Sequence, residues 1–134
     1  MQKLSIRTNR RCDIIDITTA IKNYLVEIKA HTGLLSVHCP HTTAGITINE
    51  NADPDVRKDL LKYLGQAVPE NDGYAHSEGN SDAHIKSTLV NCSQILIVED
   101  GKLMLGQWQG VFFMEFDGPR EREVWLKYLP DGKR

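Results

Sequence analysis

His41-Thr42-Thr43-Ala44-Gly45-Ile46-Thr47-Ile48-Asn49-Glu50-Asn51-Ala52-Asp53-Pro54-Asp55-Val56 is the stretch that decides how this chain is built. Over 42–49 the apolar side chains alternate: Ala44, Ile46 and Ile48 fall on one face, and Thr43, Gly45, Thr47 and Asn49 on the other. A period of two is the signature of a half-buried strand. The pattern stops at Asn49 and a helix start follows. Asp53 is a natural N-cap, Pro54 suits the first helical position, and Asp55 complements the positive end of the helix dipole. Val56, Leu60, Leu61 and Leu64 then form the expected buried stripe, with Gly65 as the end.

Toward the amino terminus, residues 2–8 and 11–17 read as two strands joined at the polar turn Asn9-Arg10. Thr18 or Thr19 is placed to cap a first helix, whose positions Ile21, Tyr24, Leu25 and Ile28 share one face. Gly33 would end it, with His31 in the last turn. A strand over 34–38 precedes the break at Cys39-Pro40. Toward the carboxyl terminus, residues 66–80 form a long loop with Pro69, Gly73 and Gly79, of a length usually tied to function or disorder. A third helix is expected over 81–91, presenting Ile85, Leu89 and Cys92 on one face. Strands follow over 94–99, 109–116 and 121–129, and Asp100-Gly101 is a strong hairpin signal between 95–98 and 102–105. Strands outnumber helices. The expected fold is α+β, a single domain over 1–134 with a largely antiparallel sheet or sandwich packed by two to three helices.

The chain has 134 residues, enough for a real core without disulfides. Its net charge of -2, with no basic stripe, argues against nucleic acid, which demands an excess of Lys and Arg. No apolar run reaches the roughly 20 residues that cross a membrane, and the first residues lack a signal-peptide core. Cys12, Cys39 and Cys92 are odd in number and far apart, which suits a reducing cytoplasm better than a disulfide framework.

Three of five histidines sit in polar runs that core packing does not demand. His41 opens the quoted stretch, and His76 and His84 bracket Ser77-Glu78-Gly79-Asn80-Ser81-Asp82-Ala83. Imidazole titrates near neutral pH and ligates metals. The start of the third helix offers free N–H groups, so Asn80, Ser81 and Ser87 are candidates to line a phosphate pocket beside His84. Arg120, in the turn Asp117-Gly118-Pro119-Arg120, is a two-pronged phosphate donor, and Trp108 a stacking face beside Gln109. Glu50-Asn51-Ala52-Asp53 reads plainly as a capping turn before the second helix, but His41 and Glu50 belong to neither an apolar stripe nor a cap. Three histidines suit a catalytic zinc-type site with an open fourth position, although His76 and His84, eight apart, lack the spacing of an HExxH helix. A surface N-cap with a solvated His84, a core Trp108 and a simple surface ion pair for Arg120 are the plain alternatives.

Taken together, 41–46, 49–56, the segment from His76 to His84 with Gly79-Asn80 inside it, Gly106-Gln107-Trp108-Gln109, and Asp117-Gly118-Pro119-Arg120 resemble the YjbQ-like family. That family is described as secondary thiamine-phosphate synthase enzymes and has long been treated as uncharacterised. The resemblance covers nearly the whole chain. It implies a homotrimer with a histidine-lined polar cavity and a weak synthase activity. In that reaction hydroxymethylpyrimidine diphosphate loses pyrophosphate as the nitrogen of a thiazole phosphate attacks its methylene carbon. On this reading His41, His84 and Glu50 are catalytic, and His41, His76 and His84 hold a divalent metal, Zn or Mg. Asn51, Asn80, Ser81, Ser87, Trp108, Gln109 and Arg120 bind the phosphorylated substrate. A metal-dependent hydrolase and a non-catalytic metal- or anion-binding regulatory module are the competing readings.

Overall fold

The computed structural model describes residues 1–132, and all structural statements concern these. In chain order the elements are β1 (Gln2–Arg7), β2 (Asp13–Asp16), α1 (Thr18–Glu27), β3 (Gly33–His38), β4 (Ala44–Glu50), α2 (Pro54–Ala67), α3 (Ser81–Val90), β5 (Ser93–Glu99), β6 (Lys102–Met104), β7 (Gln109–Glu115) and β8 (Glu121–Pro130). They form the expected α+β domain: a five-stranded sheet in the order β1-β8-β3-β5-β6 and a three-stranded sheet in the order β2-β7-β4. Every strand pair is antiparallel.

The main core draws on both sheets and on α1, through Ile21 and Leu25, Leu35 and Val37, Ala44 and Ile46, Val98, Val111 and Phe113, and Val124 and Leu126. β7 is buried on both faces, which explains its unbroken apolar run. Val111 and Phe113 join the main core. Met114 and Phe116 pack outward with Ala83 of α3, against Leu64 of α2 and Val90 of α3. Phe112 carries the guanidinium of Arg57 at 5.4 Å from its ring centre. The hairpin at Asp100-Gly101 forms as expected, with both residues at positive φ (49° and 79°), as a two-residue I′ turn requires.

Several local expectations differ. β1 and β2 do not pair across Asn9-Arg10; β1 joins β8 and β2 joins β7, in different sheets. Neither Thr18 nor Thr19 is the N-cap of α1. Ile17 takes that place, and Thr18 is buried, its hydroxyl accepting from the Val111 amide at 2.9 Å. α1 stops at Ile28 with Lys29 at φ 54°, so His31 lies beyond the helix and Gly33 opens β3. Added at Gly33, a Cβ would meet the Leu129 carbonyl at 2.2 Å, so the residue serves close strand packing. Asp53 caps α2 as read, accepting from the Asp55 amide at 2.9 Å, but the helix runs past Gly65 to Ala67 and none of its residues is buried.

α3 is turned over relative to its apolar pattern. Ile85, Leu89 and Cys92 are exposed, while Asp82, Ala83, Lys86 and Ser87 face inward. The inward face is held by charge and by backbone contact. Lys86 Nζ lies 3.0 Å from Asp82, Arg11 lies 3.0 Å from the other Asp82 oxygen, and Ser87 donates to the Ala44 carbonyl at 2.9 Å. Gly45 of β4 lets the helix end approach: an added Cβ would sit 2.6 Å from the Asn91 carbonyl oxygen.

Candidate functional site

Docking α3 against the start of β4 brings its first turn beside the β3–β4 connection and the β7–β8 turn. Three adjoining clefts meet at His84. One, of about 410 Å³, is bounded by His41, Thr42, Ser87, Thr88, Asn91 and Cys92. A second, of about 360 Å³, reaches from His41, Thr42 and Thr43 past Glu78 and Asn80 to Asp117, Arg120 and Arg122. The third, about 390 Å³, lies between His84 and His76, with Tyr74, Ser81 and Ile85. The rings of His76 and His84 stand perpendicular, 5.4 Å between centres.

His41 is fixed in a defined state. Its Nε2 accepts the Glu123 amide N–H at 3.0 Å, so in the neutral ring the proton sits on Nδ1. Partial burial, with the Arg122 charge nearby, pushes its pKa below the usual histidine value. The result is a neutral imidazole with one N–H to offer and a lone pair already used.

The floor of the second cleft is ionic. Arg122, 3% exposed, donates through Nε to Glu115 at 2.9 Å and through Nη2 to Glu115 and to the Thr43 hydroxyl at 2.9 Å. Burial alone would raise the Glu115 carboxyl, but bonds from Arg122, the Thr8 hydroxyl (2.7 Å) and the Asp117 amide (3.1 Å) outweigh it and hold Glu115 ionised. Asp117 is a second hub: Asn80 Nδ2 donates to it at 2.9 Å, Arg120 at 3.0 Å, and Arg11 at 3.3 Å. This pairing fixes the Asn80 amide and leaves its Oδ1 wholly buried and unpaired, an acceptor at the helix start.

The residues singled out by sequence fall into two groups. His41, His76, His84, Asn80, Ser81, Ser87 and Arg120 all line the clefts around His84. Glu50, Asn51, Trp108 and Gln109 do not. Glu50 pairs with Gln109 at the far end of β4, and the Asn51 amide bonds the Trp108 carbonyl at 3.0 Å. From Ala44 to Glu50 the strand rises by roughly 20 Å, so within one chain this cluster stands well away from the clefts. Single residues also differ in detail. The Ser87 hydroxyl is spent on the Ala44 carbonyl, Gln109 accepts from the Gly106 amide at 2.8 Å, and Arg120 folds back on its own turn, Nε to the Asp117 carbonyl at 3.0 Å.

The three histidines do not fit the expected metal set. His41 Nε2 is engaged by a backbone amide, His76 faces Glu78 at 3.7 Å, and among the described residues no three His, Cys, Asp or Glu side chains gather as ligands. Sequence reasoning missed Arg122, Glu115, Arg11, Asp82 and Lys86. Signals existed for three of them: a carboxylate, Glu115, set inside the apolar run 110–116, and the i, i+4 acid–base pair Asp82 and Lys86 on a helix whose apolar positions are few.

Fold and site together define a small α+β domain with a histidine- and arginine-lined cleft at a helix start. The chain belongs to the UPF0047 protein YjbQ-like family, whose model matches residues 2–131. It is 54% identical over 129 residues to UPF0047 protein MJ1081 of Methanocaldococcus jannaschii, covering 96% of this chain and 94% of that one. To YugU of Bacillus subtilis it is 49% identical over 130 residues, covering 96% and 98%. Among solved structures, a YjbQ/UPF0047 protein of Clostridium acetobutylicum superposes with a TM-score of 0.94 at 50% identity, covering 96% of this chain and all of that one. A hypothetical protein of Aeropyrum pernix K1 gives 0.93 at 34% identity, covering 97% and 98%. These relatives bring a family and a fold and no activity. Among the described residues no helix is long and apolar enough to cross a membrane.

Proposed function

We propose that the protein is a transferase of the thiamine-phosphate synthase type, acting on a phosphorylated heterocycle in the clefts around His84. The observation that carries this reading is the convergence of His84, His41, Arg120 and Arg122 on one connected polar space. In the reaction the thiazole nitrogen forms a bond to the methylene carbon as the bond to the diphosphate oxygen breaks. The nitrogen becomes quaternary and gives up no proton, so the demand falls on stabilising the departing pyrophosphate rather than on a base. The arginines and the His41 N–H suit that demand, and His84 is placed to give a proton to the leaving oxygen. Since the chain gathers no three-ligand set among the described residues, the divalent ion in this reading is one carried in on the diphosphate.

A homotrimer is part of the proposal, on two observations. Leu129, Leu34, Ile97 and Met104 stand side by side across β8, β3, β5 and β6, all exposed, a continuous apolar row that a second copy would cover. The cluster Glu50, Asn51, Trp108 and Gln109 cannot reach the clefts of its own chain, whereas a neighbour's cluster is free to, bringing Trp108 as a stacking face. Light scattering should give three times the 15.1 kDa of one chain; a monomer at micromolar concentration removes this part.

The test of function is turnover of the two half-substrates by wild type and by His84→Ala, with folding checked by circular dichroism. An enzyme loses turnover in the variant while keeping its fold. Absence of product from the wild type at any substrate level, with phosphorylated ligands still bound, would instead establish an anion-binding module.

A further inference from the structure

We infer that Arg122 and His41 together form a built subsite for a phosphate or pyrophosphate oxyanion, with Arg122, not Arg120, as its anchor. This deepens the reading of a phosphorylated substrate and rests on it only for what carries the anion. Arginine has five N–H donors. In Arg122, Nε is given to Glu115 and Nη2 to Glu115 and Thr43. Nη1 makes no hydrogen bond among the described residues. It is not sealed away either, since Asn80 Oδ1 is the only wholly buried side-chain N or O atom without a partner among the described residues. Arg122 also lines the second cleft, so its one open nitrogen meets that space.

The same logic applies to His41. Its Nε2 is capped by the Glu123 amide, its Nδ1 has no protein partner among the described residues, and it borders the same cleft. Two buried or half-buried groups thus present unused N–H donors to one volume, each locked in orientation by bonds on its other side. Such preorganised donors favour an oxyanion over water, because no side chain has to be ordered when it binds. Arg120 borders the same cleft and is likewise held through Nε and Nη2, by Asp117, with Nη1 unbonded among the described residues, but its side chain is about half exposed, so water competes for its donor and weakens an anion contact there. Glu115 neutralises Arg122, so binding here depends on aimed donors more than on net charge, and a planar fork should matter more than a point charge.

The test is calorimetric titration of the folded protein with inorganic pyrophosphate and, separately, inorganic phosphate, for wild type, Arg122→Lys, Arg120→Lys and His41→Phe. Arg122→Lys keeps the charge that faces Glu115 and removes the open fork nitrogen. Arg122→Lys should weaken pyrophosphate at least tenfold, Arg120→Lys by threefold or less, and His41→Phe by an intermediate factor. In case the lysine variant unfolds, the guanidinium resonances of ¹⁵N-arginine wild type give an independent reading, and those of Arg122 should shift on pyrophosphate addition while those of Arg120 stay. The inference is overturned if the wild type binds neither anion at millimolar concentration, if affinity follows Arg120, or if the Arg122 resonances do not move. Pyrophosphate binding through Arg122 without turnover of the half-substrates would sink the synthase reading and leave the subsite standing.

Discussion

Exchanging Asp82 for Asn tests why α3 buries its polar face. Asp82 is 1% exposed and serves two cations, Lys86 at 3.0 Å and Arg11 at 3.0 Å. Arg11 keeps Glu70 at 3.1 Å and Asp117 at 3.3 Å if Asp82 is lost. Lys86, 4% exposed, keeps nothing: among the described residues Asp82 is its only ion-pair partner. Asp82→Asn therefore strands a buried ammonium, which costs about 3–5 kcal/mol. At an m-value of about 2 kcal/mol per M urea, the unfolding midpoint should fall by roughly 1.5–2.5 M. Lys86→Met removes the cation and fills its space while Arg11 still holds Asp82, so it should cost under about 1.5 kcal/mol. The combined Asp82→Asn, Lys86→Met chain should be more stable than Asp82→Asn alone by at least about 1.5 kcal/mol, a coupling in the range of contacting pairs. Urea unfolding followed by tryptophan fluorescence and circular dichroism measures all four chains. Strict additivity of the two single changes, with unchanged m-values, would refute the claim that this ion pair holds the helix face inward.

Other consequences are as direct. Gly45→Ala pushes a methyl group to within 2.6 Å of the Asn91 carbonyl and 3.1 Å of Val90; it should cost about 1–3 kcal/mol and disturb His84 amide resonances, and a neutral effect would mean that α3 is not seated on β4. Ser87→Ala should lower stability by about 1 kcal/mol through its lost bond to the Ala44 carbonyl, as read by thermal unfolding. His41 should titrate below the ordinary value of 6.5 in an NMR pH series. Because the unfolded chain then binds the proton more readily, this histidine's contribution to stability is complete above 6.5 and is lost as pH falls through that value toward the folded pKa. A titration midpoint above 6.5 contradicts the neutral, amide-capped ring. Glu115 follows the carboxylate sense, its contribution present above the ordinary 4.5 and lost as pH falls through its lowered folded pKa.

What could be read from sequence was what neighbouring residues decide. The alternation in β4, the Asp53 cap and the Asp100-Gly101 turn are local devices, and each appears as expected. What failed depended on distant partners. β1 pairs with β8, more than a hundred residues away, rather than with the adjacent β2, and nothing in Asn9-Arg10 announces it. The apolar positions of α3 gave a face but not the direction it points. Burial of Asp82 and Lys86 is permitted by Arg11, 71 residues earlier, and by Gly45, and neither contact leaves a periodic trace. The site divides in the same way. Motif residues clustered around His84 because α3 and the two turns meet there, but Glu50 and His41, so close in sequence, were carried apart by the strand between them. Arg122 went unseen because, although it alternates onto the same face of β8 as the buried Val124 and Leu126, a guanidinium there has no rationale until Glu115 is found as its partner.

The central claim, that the clefts around His84 receive the phosphorylated ligand, is tested most directly by amide chemical-shift mapping of the ¹⁵N-labelled protein with the thiazole phosphate. The account predicts shifts confined to 40–44, 78–88 and 117–123, whose residues surround His41, His84 and Arg122. Shifts centred instead on 49–51 and 106–110 with the clefts silent, or no shifts at millimolar ligand, would contradict it.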